Sequence, residues 1–199
     1  MQHLQTSAPA AFPVTLQEAK DHCSVTSNDL NADFTRKIGA ATRFIERETN
    51  RQLVTASWTL TLPGFPAIGD RMAPDGSIRL YRSPAQSITS IYYLNTSGVS
   101  TLLSSSVYLL DKSDNDPRIK LASDQEWPDA LEQANAVTII YVAGYGAYTA
   151  VPEDYKEAIL RVVESLFRFR SDEVTGTIVN NVALDVQRIL AGDNGACIV

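Results

Sequence analysis

The spacing of apolar residues changes period twice along this chain, and those changes divide it. Residues 1–13 show no periodic apolar pattern; Ser7, Ala8, Pro9, Ala10, Ala11 and Pro13 predict a flexible N-terminus with nothing to bury. Thr15 followed three residues on by Glu18 is a capping box, and it predicts a short helix with Leu16, Ala19 and Cys23 inward. After a break rich in capping residues at Ser24–Asn28, Leu30, Phe34, Ile38, Ala41 and Ile45 recur at three- and four-residue spacing. That spacing predicts a longer helix over residues 29–50. Gly39 sits inside it at a cost of about 1 kcal/mol relative to Ala, which points to a close helix crossing.

The period then becomes two. Ala56, Trp58, Leu60 and Leu62 alternate with Thr55, Ser57, Thr59 and Thr61, the pattern of a half-buried antiparallel strand. Residues 64–76, punctuated by glycine and proline, predict a long loop. Further strands are predicted at Ser77–Tyr81, Ser87–Leu94, Val99–Leu103, Val107–Leu110, Arg118–Ala122 and Ala136–Ala143, with a hairpin turn at Asn95–Gly98. Helical spacing returns after Gly144-Tyr145-Gly146. Pro152 takes the first helical position, Glu153 and Asp154 suit the positive helix end, and Tyr155, Ile159, Val162, Val163, Leu166 and Phe167 form the apolar stripe. A last short helix is expected near Asn181–Leu190.

The resulting fold class is α+β: a helical framework with an antiparallel β-module inserted between its second and third helices. The expected division is a flexible start at 1–13, a helical core from 14–52 and 150–191, an inserted β-module at 53–146, and a flexible tail at 192–199.

Composition narrows the chemistry. A formal charge of −6 and a pI near 4.9 disfavour a protein that grips DNA through a basic surface. Weak, sliding contact with DNA stays open. Two cysteines, Cys23 and Cys197, without a His/Cys cluster support neither a zinc site nor a disulfide framework. No stretch approaches the roughly 20 apolar residues that span a bilayer, and residues 1–13 lack the make-up of a secretory signal, so a soluble protein made in the cytoplasm is expected.

Catalytic patterns are weak. His22 could serve a Ser-His-Asp triad, but no Gly-x-Ser-x-Gly elbow accompanies it, so a surface or interface histidine is the better reading. Asp111, Asp114 and Asp116 open like a calcium loop, yet Pro117 follows where the pattern needs a glycine-led turn. Gly144-Tyr145-Gly146 lacks the third glycine or the Lys-Ser/Thr of a phosphate cradle; Tyr145 is expected to pack at the helix base. No cofactor, metal ligand or catalytic residue is assigned. Arg36, Lys37, Arg43, Arg47 and Arg51 partly share a face with Glu46 and Glu48, which reads as a solvated surface or as an ion-pair seam between subunits.

Four stretches in order resemble the head–tail connector family, the adaptor proteins of long-tailed phages and gene transfer agents. They are Pro13-Val14-Thr15-Leu16-Gln17-Glu18-Ala19-Lys20; Ala41-Thr42-Arg43-Phe44-Ile45 through Arg51-Gln52-Leu53; Leu80-Tyr81-Arg82-Ser83-Pro84 through Tyr92-Tyr93-Leu94; and Val137–Gly146 with Val151-Pro152-Glu153-Asp154-Tyr155. Residues 171–199 match only loosely.

The resemblance implies a four-helix adaptor framework carrying the β-module, without catalytic residues. It also implies a homo-oligomeric ring, usually of twelve copies, in the head–tail neck of a virion or virus-like particle. Such a ring sits between the portal and the next neck (stopper) protein and continues the channel for double-stranded DNA, without sequence-specific binding and away from any membrane. On that footing Arg36, Arg43, Arg47 and Arg51 are candidates for inter-subunit contacts. Leu190, Ala196, Cys197, Ile198 and Val199 are candidates for docking to the portal. The alternative is a ligand- or carbohydrate-binding module whose β-insert gathers Trp58, Tyr92, Tyr93 and Trp127 in a groove.

Overall fold

A computed structural model describes residues 2–168 apart from 68, 70–72, 74 and 114. The expected fourth helix near Asn181–Leu190 lies outside the described residues. The chain divides into two compact units: one holds residues 10–54 and continues from residue 145, the other holds residues 1–9 and 55–144.

The helical unit contains α1 (Leu16–His22), α2 (Asn31–Thr49), a 3₁₀ turn at Tyr148–Ala150 and α3 (Glu153–Arg168). The capping box at the start of α1 forms as the sequence predicts. The Glu18 amide donates to the Thr15 hydroxyl at 3.2 Å and the Thr15 amide donates to the Glu18 carboxylate at 2.6 Å. The Thr15 amide first, and the Thr15 hydroxyl second, donate to the Glu18 carboxylate and hold it below its ordinary pKa. Apolar stripes on the three helices close a common core, in which Ala19, Phe34, Ile38, Ala41, Ile45, Tyr155, Ile159 and Val163 are all buried. Gly39 has a different cause from the expected helix crossing. A Cβ there would lie 3.2 Å from the ring of Phe12, so the position accommodates the segment preceding α1.

The exit from α2 is closed by side chains. Asn50 adopts a left-handed conformation (φ 54°) that ends the helix. The Glu46 carboxylate then accepts the Leu53 amide at 3.0 Å and the Gln52 side-chain amide at 2.7 Å. Gln52 is fully buried and also donates to the Val54 carbonyl at 3.0 Å. Buried polar groups are tolerable because each has a partner.

The β-unit holds two antiparallel sheets. The larger has the order β1-β2-β8-β4-β5, formed by Gln2–Ser7, Ala56–Leu62, Val137–Ala143, Ala85–Leu94 and Ser100–Leu102. The smaller has the order β3-β7-β6, formed by Ile78–Arg79, Arg118–Leu121 and Tyr108–Asp111. Every predicted strand is present, and the Asn95–Gly98 turn joins β4 to β5 with Gly98 at φ 77°. Register aligns Leu60 with Ile139 and Ile139 with Ile91, and all three are buried in the inner layer with Trp58, Val137, Tyr141, Ile78 and Ile119.

One expectation fails outright. The start of the chain is not free: Gln2–Ser7 pairs along β2 as an edge strand. Its side chains are mostly exposed, so no apolar alternation marks it; backbone pairing, a Thr6–Thr59 hydroxyl bond, the Thr61 hydroxyl donating to the Gln2 carbonyl and one aromatic residue hold it. That residue is His3, whose ring stacks 4.5 Å from Trp58 and whose Nε2 shares a 2.7 Å hydrogen bond with the Tyr141 hydroxyl.

Burial first, and the nearby Arg82 charge second, depress the His3 pKa from 6.5 to about 4. Between those values the unfolded chain binds a proton that the folded chain refuses. The fold therefore has this contribution in full above about pH 6.5 and loses it as pH falls toward 4. Denaturant titrations across pH 7 to 4 should show the wild type losing more stability than His3→Gln. Parallel curves would show that His3 is not buried as described.

Candidate assembly surfaces

Four arginines of the α2 region were expected on one interface, and the structure separates them. Arg36, Arg43 and Arg47 are exposed on α2, opposite the buried stripe. Arg36 pairs with Asp33 at 2.6 Å, and Lys37 pairs with the same carboxylate at 2.9 Å. These two bonds keep the Asp33 carboxyl below its usual range. Arg47 bonds Glu48 at 3.2 Å and lies 5.8 Å from the Phe44 ring. Arg43 donates to the Gly39 carbonyl at 3.2 Å and, among the described residues, has no carboxylate partner.

Arg51 does not belong with them. It is only 5% exposed, donates to the Tyr145 hydroxyl at 2.7 Å and lies 5.9 Å from that ring. It stands beyond the left-handed residue that ends α2, where helical phase no longer applies. Its guanidinium fastens Tyr145 to the helical core, beside Tyr155 at 5.8 Å. The expected packing of Tyr145 at the base of α3 is therefore present. His22 bonds Glu164 at 3.2 Å within the same unit. Leu190, Ala196, Cys197, Ile198 and Val199 lie outside the described residues.

The four aromatic residues that would make a ligand groove do not gather in one place: Tyr93 and Trp127 share the Phe65 ring, while Trp58 and Tyr92 lie elsewhere. Trp58 is 8% exposed, covered by His3 on one side and by the Arg82 guanidinium at 4.8 Å. Trp127 stacks on Phe65 at 4.9 Å and donates its indole N–H to the Gly76 carbonyl. Tyr93 tilts against Phe65, while Tyr92 lies on the opposite sheet face. An open groove of about 750 Å³ runs beside Phe65, Pro66, Arg79, Tyr81 and Glu132, and none of the four expected aromatics lines it. Two aspartates of the calcium-like pattern face cations instead: Asp111 holds Lys120 at 2.7 Å, and Asp116 holds Arg79 at 2.7 Å and Arg118. Asp114 is outside the described residues.

Sequence reasoning missed the most unusual surface, the five-stranded sheet itself. None of the chain's 17 basic and 23 acidic residues falls in β1, β2, β4, β5 or β8. The outer face follows the register Gln2–Thr61–Thr138–Tyr92–Leu102 in one row and Leu4–Thr59–Ile140–Ser90 in the next. Leu4 is 59% exposed, Leu102 58% and Tyr92 40%. The signal was present as uncharged runs at 52–69, 83–110 and 133–152, but only the strand order puts those runs side by side. Protein interfaces are depleted of charge at their centres, so a neutral, hydroxyl-rich sheet with exposed leucines has the composition of a contact surface.

Among the described residues the chain is a unit of three helices interrupted by an antiparallel β-insert whose five-stranded sheet carries no Lys, Arg, Asp or Glu. No family model and no curated protein matches the chain. Solved structures do. The fold is shared with a chain of "Neck of empty GTA particle computed with C6 symmetry" at TM-score 0.76 and 20% identity, covering 95% of each chain. A chain of "Virion of native gene transfer agent (GTA) particle" follows at TM-score 0.75 and 21% identity, covering 94% of each. A chain of "Neck of native GTA particle computed with C12 symmetry" aligns over 100% of this chain and 98% of that one, at TM-score 0.70 and 18% identity.

Proposed function

We propose that this protein is a structural head–tail connector (adaptor) in the neck of a tailed phage or gene transfer agent particle. In this reading it is not an enzyme. It forms a ring of about twelve copies that joins the portal to the next neck protein and continues the DNA channel. The observation that carries the proposal is the shared fold with neck chains of gene transfer agent particles over nearly the whole length of both proteins.

The physical mechanism is one of interfaces. A cyclic ring uses a different face of each subunit toward each neighbour. The exposed Arg36, Arg43 and Arg47 offer one polar, basic face, with Arg43 available for a carboxylate from a neighbour. The residues 190–199 are the proposed portal-docking segment. The net charge of −6 per copy suits a channel through which phosphates slide without sticking.

Light scattering on the protein alone, and after mixing with the portal of the same particle, tests the reading. The expected result is a ring, or a complex with many adaptor copies per portal. A monomer that ignores the portal would overturn it and direct attention to ligands of the Phe65–Tyr81 groove.

A further inference from the structure

We propose that the two edges of the five-stranded sheet are a matched joint: β5 of one copy pairs with β1 of the next, continuing one sheet from subunit to subunit. The proposal deepens the ring reading above and rests on it.

Among the described residues neither edge strand carries a charge or a proline, although β5 is only three residues long and β1 shifts register between Gln5 and Ser7. Folded proteins normally blunt an edge strand with charge, proline or a covering segment, because unpaired backbone groups recruit other strands. The smaller sheet follows that rule, with Arg79 on β3 at one edge and Asp111 on β6 at the other. The larger sheet has neither charge nor proline on its two edge strands. Its edge strands are Gln-His-Leu-Gln-Thr-Ser and Ser-Thr-Leu, and no charged residue stands between Arg82 and Asp111. All of β1 except His3 is exposed, as are Val99, Ser100 and Leu102 around β5.

The backbone geometry presents bonding groups outward. The Leu103 amide donates to the Ile91 carbonyl at 2.8 Å, and the Val99 carbonyl accepts the Asn95 amide at 2.9 Å. Residues 99 and 103 therefore face β4. Alternation turns the amides and carbonyls of Ser100 and Leu102 away from the sheet.

Parity then selects the occupant. The four pairings from β1 through to β5 are all antiparallel, so β1 and β5 point the same way. Neighbours related by rotation about a ring axis that runs along the strands keep that direction, so β5 meets the next β1 as a parallel pair. A foreign peptide would need one open edge. A second copy of this chain uses both, head to tail, as a ring requires.

Hydrogen exchange on the full-length protein, as monomer and in the assembled state with the portal, reads the joint directly. Peptides covering residues 2–7 and 99–103 should both exchange about tenfold or more slowly in the assembly. Exchange of either segment at the monomer rate within an assembled ring overturns the joint and leaves the ring reading intact.

Leu102→Pro provides the second arm. Its outward amide carries no bond within the sheet, so the monomer should keep its melting temperature while losing the ability to assemble. A Leu102→Pro protein that builds rings like the wild type overturns the joint. If the wild type forms no multimer alone or with the portal, the joint and the connector reading fail together.

Discussion

Tyr141→Ala should lower the stability of the β-unit by about 3–5 kcal/mol. Tyr141 sits on the central strand β8, opposite Trp58 on β2 and Ile88 on β4, and is 0% exposed. Truncation opens a cavity at the middle of the inner layer. It also removes the hydroxyl that holds the half-buried His3 ring at 2.7 Å, so that nitrogen loses its partner. Burial pushes the Tyr141 phenol pKa well up, so this hydroxyl stays protonated throughout the working pH range. Both tryptophans, Trp58 and Trp127, lie in this unit. The denaturant midpoint read by tryptophan fluorescence is therefore the direct measurement. A loss below about 1 kcal/mol would mean the layer collapses around the gap or is not packed as described. Tyr141→Phe separates the two effects, since it removes the hydrogen bond and keeps the volume.

Phe34→Ala is expected to cost the helical unit a similar amount, about 3–5 kcal/mol. Phe34 is fully buried on α2 and its ring lies 4.9 Å from that of Phe167 on α3. It joins the two long helices near the end of α3. Helical ellipticity followed through a denaturant titration checks it. A midpoint unchanged from wild type would place the Phe34 ring at the surface and break the described packing of α2 on α3. Because the two variants load different units, the fluorescence and ellipticity readouts should respond in opposite order.

Several readings were legible because their causes are local. The 3.6-residue spacing of Phe34, Ile38, Ala41 and Ile45 defines the inward face of α2 wherever the helix packs. It equally defines Arg36, Arg43 and Arg47 as outward. The alternation of Ala56, Trp58, Leu60 and Leu62 likewise predicts β2 and its buried face. Thr15 and Glu18 satisfy one another within a single turn, so the start of α1 needs nothing distant.

Other features had no local cause to read. Gln2–Ser7 has the composition of a loose end, and it becomes a strand only because β2 offers a bonding edge and Trp58 offers a face for His3. Arg51 follows the helical pattern in sequence but not in space, since Asn50 reverses the backbone before it and Tyr145, far along the chain, takes its guanidinium. Gly39 in a helical pattern suggests a helix crossing, but its neighbour is the Phe12 ring, which comes from a segment without periodicity.

By itself the sequence determined the helices and most strands, the cap that starts α1, the turn between β4 and β5, and the absence of charge from long stretches. Periodicity and capping act over a few residues, which is why they can be read in one dimension. Only the tertiary structure decided that those uncharged stretches lie together in one sheet, that residues 2–7 form one edge of it, and that β5 forms the other. Strand order is set by pairings between residues many positions apart, and no local pattern specifies which partner each strand will find.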